Sequence, residues 1–381
     1  MDFDFREEHL LFARSVRDFA EREIAPFVEE AETKEEFPVE LFPKMGELGY
    51  LCVMCPEEYG GAGADRVSEC LLMEELGKVC LGIASGFLSH SSVSTAAILH
   101  FGTEAQKRRY LVPAIKGERI AAFGLTEPNA GSDVESIETT ARKMENGYLL
   151  SGAKTLITNA TISDFVVVAA YVDRSKGSKG IALFVVDKGA PGFAPPRKLR
   201  KFGMLSADLG ELSFEDCPLP SESVIGEEEG GFGNIMRVLN SGRMVVGARA
   251  VGLAQAAYEA ALSYAQQRVQ FGKPIGTFQA IAFKLADMLT QIEAARLLVY
   301  RAAWLYDQGR PCIKEASMAK LLATEMALYV ASEALQIHGG YGFIADSPVQ
   351  RYFRDARFGT VVEGTSDIQR LIISRRIGLR S

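Results

Sequence analysis

The pattern of apolar and polar positions divides the chain into three blocks. In residues 1–120, apolar side chains such as Leu11, Val16 and Phe19 recur at helical spacing, so we predict an N-terminal helical domain. In residues 121–226, short apolar runs such as DFVVVAAYV and GIALFVVD alternate with Gly, Pro and Asp turns. This alternation predicts a middle domain of mostly antiparallel β-strands.

The third block, residues 227–381, returns to a helical period in long Ala- and Leu-rich runs. We predict helices over Met236–Gln267, Gly276–Asp307 and Ile313–Gln336, packed as an up-and-down bundle. The predicted fold class is therefore mixed α and β, mainly α. Because strands and helices do not alternate and no G-x-G-x-x-G follows a strand, a Rossmann domain is disfavoured.

Composition and charge argue against several classes of protein. A net charge of -7 and a pI near 5.4 argue against a nucleic-acid partner. No apolar stretch is long enough to span a bilayer and the first segment lacks the order of a signal peptide, so we expect a soluble, cytoplasmic protein without membrane insertion. The C-x-x-C of Cys52 and Cys55 has no second pair, so we expect reduced thiols and no metal site.

Four segments carry candidate chemistry, and each also has an ordinary structural interpretation. LTEPNAGSD reads as a turn at a domain junction, RVQFGKPIGTFQ as a helix connection, and QIHGGYGF as a helix stop with a hydrogen-bonded histidine. FGTVVEGTSDIQR places Glu363 between an apolar run and a helix start, where a carboxylate is either a capping group or a chemical one.

These segments, together with YGGAGAD and SGAKTLITNA in the same order and spacing, resemble the acyl-CoA dehydrogenase family from end to end. The resemblance implies a helical domain, a β-barrel-like domain and a C-terminal four-helix bundle around FAD, assembled as a homotetramer. It implies oxidation of an acyl-CoA substrate to the 2-enoyl-CoA by α-proton abstraction and β-hydride transfer to flavin N5. Electrons would pass to an electron-transfer flavoprotein.

The same resemblance implies roles for individual residues. Thr126 and Ser132 would hydrogen-bond the flavin and the neighbouring acyl-CoA, and Arg268, Phe271 and Gln279 would hold an FAD belonging mainly to the neighbouring subunit. Thr365 and Asp367 would open a helix whose N-H groups suit polar ligand atoms. The other implied FAD contacts are Leu125, Leu156, Ile157, Thr158, Gln336, Gly339 and Gly340, and the implied substrate contacts are Ser132, Asn240, Arg243 and Gly364.

In this resemblance Glu363 is the catalytic base. An α-proton is too weakly acidic for a solvated carboxylate, so the base should be desolvated and its pKa raised, and Val361 and Val362 supply an apolar side. Some relatives place the base immediately before the arginine that matches Arg243. This chain has Gly242 there, which strengthens the assignment to Glu363.

Departures from the family pattern bear on the substrate and the electron acceptor. Asn240 stands where an aspartate is frequent, and Leu156 where many relatives have tryptophan. The segment LGIASGFLSHSSVST lacks the arginine that glutaryl-CoA-oxidising relatives use for a distal carboxylate, so we expect a monocarboxylyl substrate of undefined length, branching or ring character.

Two other function classes share the fold. Glu363 is compatible with an acyl-CoA oxidase-like enzyme using oxygen, whereas the monooxygenase relatives generally lack the base. Within the leading class, an alicyclic or branched acyl-CoA dehydrogenase is the alternative. A non-enzymatic, DNA-associated relative would carry a basic extension or patch, which the acidic balance of this chain disfavours.

Overall fold

The computed structural model describes residues 4–379, and it confirms the predicted order of helices, sheet and helices. The first block folds into eight helices. Several are continued by short π-helical turns, such as Ala20–Ile24 and Ser89–Ser94. The helices of this block are α1 (Glu7–Phe19), α2 (Ala25–Lys34), α3 (Leu41–Glu47), α4 (Arg66–Val79), α5 (Leu81–Leu88), α6 (Thr95–Phe101), α7 (Glu104–Gln106) and α8 (Val112–Ile115).

The middle block forms an eight-stranded, mostly antiparallel sheet. Seven of its strands follow the spatial order β6-β7-β3-β2-β4-β5-β8, and β1 pairs with β4 in parallel. The strands are β1 (Ala121–Gly124), β2 (Thr140–Met144), β3 (Gly147–Thr158), β4 (Phe165–Tyr171), β5 (Ile181–Asp187), β6 (Arg197–Lys198), β7 (Leu209–Leu219) and β8 (Val224–Ile225).

Strand β4 joins two hydrophobic cores. Alternate side chains of a strand point to opposite faces. Phe165 and Val167 therefore pack into the core shared with the helices, whereas Val166 and Val168 pack into a second core inside the β domain. All seven residues of β4 are buried. This explains why its sequence reads as a continuous apolar run with no period of two.

The last block contains five helices, α9 (Gly231–Gln267), α10 (Gln279–Asp307), α11 (Ile313–His338), α12 (Pro348–Gly359) and α13 (Ser366–Arg376). A two-stranded hairpin, β9 (Val269–Gln270) with β10 (Lys273–Pro274), links α9 to α10. The three long helices are confirmed with shifted ends. Helix α9 begins five residues before the predicted Met236, and α10 begins after a 3-10 turn at Ile275–Thr277.

Close packing between α4 and α9 ties the first block to the last. A Cβ added to Gly252 would lie 2.0 Å from the Glu74 carbonyl oxygen, and one added to Gly77 would lie 2.4 Å from the Arg249 carbonyl oxygen. Only residues without a side chain permit such backbone approach. The two helices are therefore held in a fixed relation, which sets the position of Arg249.

Candidate active site

Glu363 lies in a tight turn between α12 and α13. Glu363 and Gly364 both have left-handed backbone angles, with φ of 49° and 84°, and the Thr365 side chain caps α13 by accepting a hydrogen bond from the Ile368 N-H at 3.3 Å. Buried Gln369 donates from Nε2 to the carbonyl oxygens of Glu363 at 3.2 Å and of Gly364 at 3.0 Å. A non-glycine residue with positive φ is strained, so these bonds help to hold the turn.

The Glu363 carboxyl group is directed into the protein. The residue as a whole is half-buried, but Oε2 is buried and has no hydrogen-bond partner among the described residues. Burial raises the pKa of Glu363, and the charges of Arg249, Lys320 and Arg243, in that order, oppose the rise. An unpartnered, desolvated carboxylate oxygen is a suitable acceptor for a proton from a bound ligand.

Three buried cations act electrostatically on this carboxyl group. Lys320 donates from Nζ to the Gly364 carbonyl oxygen at 2.8 Å, which braces the turn from α11. Burial lowers the pKa of Lys320 to about 8 and the pKa values of Arg243 and Arg249 to about 10, and the negative charge of Glu363 acts in the opposite direction on all three.

Arg243 and Asn240 lie together on α9, next to the carboxylate. Arg243 donates from Nη1 to Asn240 Oδ1 and, at 3.4 Å, to Ser317 Oγ on α11. Arg243 Nε is buried without a hydrogen-bond partner among the described residues. Gly242, between the two, faces Glu363, because a Cβ built there would lie 2.9 Å from Glu363 Oε2.

The residues predicted for the flavin ring form a second group on the β domain. The Thr155 N-H donates to the Thr126 carbonyl oxygen at 2.9 Å, which sets Leu125 and Thr126 beside the end of β3. Lys154 holds this junction in place. Its Nζ donates to the Leu125 carbonyl oxygen at 3.2 Å and forms a buried ion pair with Glu127 at 2.6 Å.

Side chains at the end of β3 point in different directions. A register irregularity between Lys154 and Ile157 gives Leu156 a φ of 58° and leaves 59% of it exposed. The Ile157 side chain packs instead into the second core, and Thr158 is half-buried. Ser132 is exposed on the loop between β1 and β2.

The residues predicted for the nucleotide side form a third group around the hairpin. Arg268 lies with Cζ 5.6 Å from the centre of the Tyr341 ring, which brings it beside the turn after α11. Phe271 is 93% exposed at the hairpin tip, and Gln279 and Gln336 are exposed as well. Gly339 has a φ of 61°, and a Cβ on Gly340 would meet no atom within 4 Å.

This third group fits a nucleotide cofactor. Open glycines let a ligand approach the backbone closely, and an arginine beside them suits a pyrophosphate. A cleft of about 500 Å³ lined by residues such as Leu262, Gly276 and Leu285 lies in the same region, away from Glu363. Within residues 4–379, the predicted site residues thus fall into three groups. The base group lies around Glu363, the β-domain group at the end of β3, and the hairpin group around Arg268.

Two features of the base group were missed by the sequence interpretation, namely the buried cations Arg249 and Lys320. A signal for Arg249 was present, because it interrupts the otherwise uncharged run MVVGARAVGLA. Lys320 stands in an ordinary helical pattern and gave no such signal.

In the part of the chain that the structure describes, no group of three His, Cys, Asp or Glu residues could hold a metal ion, and no helix could cross a membrane.

Comparisons with known proteins agree with this architecture. The acyl-CoA dehydrogenase N-terminal, middle and C-terminal domain families match residues 6–118, 122–217 and 229–378. An acyl-CoA dehydrogenase of Bacillus subtilis (strain 168) is 46% identical over 369 residues, which are 97% of each chain.

Two solved structures are similar over the whole chain. Butyryl-CoA dehydrogenase from Megasphaera elsdenii has a TM-score of 0.96 and 42% identity, covering 99% of this chain and 100% of that one. A chain in a structure described as "Electron transferring flavoprotein of Acidaminococcus fermentans" has a TM-score of 0.97 and 42% identity, covering 100% of both chains.

The three-part fold and its relatives define a class of flavoprotein oxidoreductases. Within that class, the chain belongs to the acyl-CoA dehydrogenase family.

Proposed function

We propose that this protein oxidises an acyl-CoA thioester to the 2-enoyl-CoA with Glu363 as the catalytic base. The observation that carries the proposal is the buried, unpartnered Oε2 of Glu363, whose carboxyl pKa burial raises. A carboxylate freed from water is a stronger base, and a pKa nearer the working pH suits proton abstraction. Relatives named acyl-CoA dehydrogenase support the substrate class.

The residues around Glu363 have separate roles in this reaction. Glu363 Oε2 takes the α-proton of the substrate. Arg249, Lys320 and Arg243 keep the carboxyl group ionised before the transfer, because their charges oppose the rise in its pKa. Lys320 and Gln369 hold the turn, so that the carboxylate keeps its orientation while the proton moves.

FAD, when bound, supplies the acceptor for the hydride that leaves the β-carbon as the double bond forms. The β-domain group would hold the flavin ring, and the hairpin group would hold the nucleotide side. Thr365 and Asp367, at the start of α13, would also bind FAD. The exposed Phe271 and the open Gly340 support a shared site, because both are accessible to a second chain. We therefore propose a homotetramer, with domain boundaries near residues 120 and 226.

The proposed electron acceptor is an electron-transfer flavoprotein, supported by the similarity to a chain from a structure described by that name. Oxygen is the alternative acceptor. The purified yellow protein should lose its flavin absorption under anaerobic conditions when mixed with an acyl-CoA, and an artificial acceptor should restore it. Absence of bleaching with acyl-CoAs of every length and shape would contradict the proposed function, and rapid turnover with oxygen alone would favour the oxidase.

A further inference from the structure

Arg249 is a buried arginine in the middle of α9, with 3% of its surface exposed. Its Nη1 donates to Ser85 Oγ on α5, and its Cζ lies 5.7 Å from the centre of the Phe358 ring on α12. The Ser85 hydroxyl donates onward to the Leu81 carbonyl oxygen at 2.6 Å, so it is free to accept from Arg249. Packing of Gly77 against the Arg249 backbone fixes the helix at this point.

The charge of Arg249 lacks a matching partner. Among the described residues, no carboxylate lies within ion-pair distance of the guanidinium, and the bond to Ser85 uses one of its five N-H donors. The negative charge of Glu363 raises the pKa of Arg249, and the charge of Arg249 lowers the pKa of Lys320. A buried charge with so few partners is unfavourable unless a ligand completes its surroundings.

The whole base group carries an excess of positive charge. Arg243, Arg249 and Lys320 contribute three positive charges against one negative charge on Glu363, which leaves a net charge of +2. Of the three cations, Arg249 has the largest effect on the pKa of Glu363, although the two side chains lie beyond ion-pair distance. The Arg249 guanidinium therefore acts electrostatically on the Glu363 carboxylate without forming an ion pair with it.

We propose that Arg249 binds a carboxylate at the far end of the acyl chain, so that the preferred substrates are dicarboxylyl-CoA thioesters. The inference rests on the proposed function. A guanidinium forms two parallel hydrogen bonds with a carboxylate, and one bound carboxylate would reduce the net charge of the base group to +1. The thioester itself is neutral and cannot supply this charge.

The proposal revises the expectation of a monocarboxylyl substrate. That expectation rested on the absence of arginine from the segment Leu81–Thr95. In the structure the same segment contributes Ser85, which binds an arginine delivered from α9. The cation thus reaches this region from a different helix, α9, which lies far from the segment Leu81–Thr95 in sequence.

The test compares paired substrates of equal carbon number. Glutaryl-CoA and pentanoyl-CoA form one pair, and adipyl-CoA and hexanoyl-CoA another. The native protein should have a higher kcat/KM for the dicarboxylyl member of at least one pair. Arg249→Gln should lower the ratio of the two kcat/KM values about 100-fold, since charged hydrogen bonds to a buried group are lost. Arg237→Gln makes the same charge change at an exposed position of α9 and should preserve the ratio.

A second measurement protects the test against loss of folding in Arg249→Gln. In the Glu363→Gln protein, where turnover is slow enough for binding to be measured, the Kd for glutaryl-CoA should be lower than that for pentanoyl-CoA. Equal values would overturn the proposal, as would an Arg249→Gln protein that loses activity equally for both members of each pair. If the native protein oxidises neutral acyl-CoAs only, this inference fails and the proposed function stands. If it oxidises neither kind, the proposed function fails.

Discussion

Gly242 and Glu363 face each other across the interface between α9 and the turn before α13, and a Cβ on Gly242 would lie 2.9 Å from Glu363 Oε2. The position that carries the base in some relatives therefore borders the same space as the carboxylate of this chain. A glycine at 242 leaves room for that carboxylate and adds no competing charge.

A base introduced at position 242 should partly replace Glu363. We expect Glu363→Gly to slow flavin reduction by at least about two orders of magnitude, because a positioned base is lost. Adding Gly242→Glu to that variant should restore part of the rate, measured by stopped-flow absorbance with an acyl-CoA. Gly242→Gln in the same background is the control and should restore none. Equal rates for the two double variants would contradict the shared location.

Removal of the Lys320 charge should shift the pH dependence of the reaction. Lys320 lowers the pKa of Glu363, so Lys320→Met should raise that pKa further. The base acts when deprotonated, and activity is lost as the pH falls through its pKa. The acidic limb of kcat/KM should therefore move to higher pH in Lys320→Met and stay near its native position in Lys320→Arg. An acidic limb that does not move in Lys320→Met would show that the charge does not act on Glu363.

Arg268→Ala should weaken FAD retention more than it weakens the fold. The side chain lies beside Tyr341 and the glycine turn, where we place the pyrophosphate. The flavin-to-protein absorbance ratio after gel filtration should fall, while the unfolding temperature of the FAD-free protein should change little. Arg310→Ala is a matched control, because Arg310 also lies over an aromatic ring, that of Trp304 at 5.6 Å. Full FAD retention in Arg268→Ala would contradict the assignment.

Leu156→Trp should change the reoxidation of the flavin more than its reduction. Leu156 is turned outward by the irregular end of β3, so a larger aromatic ring would cover more of the ligand beside it. Stopped-flow measurement of both half-reactions tests this expectation, with Leu156→Met as the control for a change of shape alone. An unchanged reoxidation with a slower reduction would show that Leu156 makes room for substrate.

The helical period in the sequence predicted the long bundle helices well, because their apolar stripes are long and regular. The start of α9 was harder to predict. Its first turn contains Gly231 and Gly233, which disfavour a helix on propensity alone. Gly231 packs so tightly on β5 that a Cβ would lie 2.5 Å from the Ile181 carbonyl oxygen, and this tertiary contact outweighs the propensity.

Glu363 could be chosen as a candidate base from its sequence motif, whereas its electrostatic surroundings could not be predicted. Val361 and Val362 indicated an apolar setting, yet Val361 is 54% exposed and the burial of the carboxyl group comes from the fold. Lys320 and Arg249 reach Glu363 from α11 and α9, at positions far away in the chain. Their convergence depends on helix packing that the local pattern does not encode.

Glu363→Gln tests most directly whether Glu363 is the base. The amide keeps the size of the side chain and removes its ability to accept the proton. On anaerobic rapid mixing with an acyl-CoA that the native protein oxidises, we expect flavin bleaching to slow by about two to four orders of magnitude, with FAD content and acyl-CoA affinity largely retained. Bleaching at the native rate would show that Glu363 is a structural carboxylate and that the base lies elsewhere.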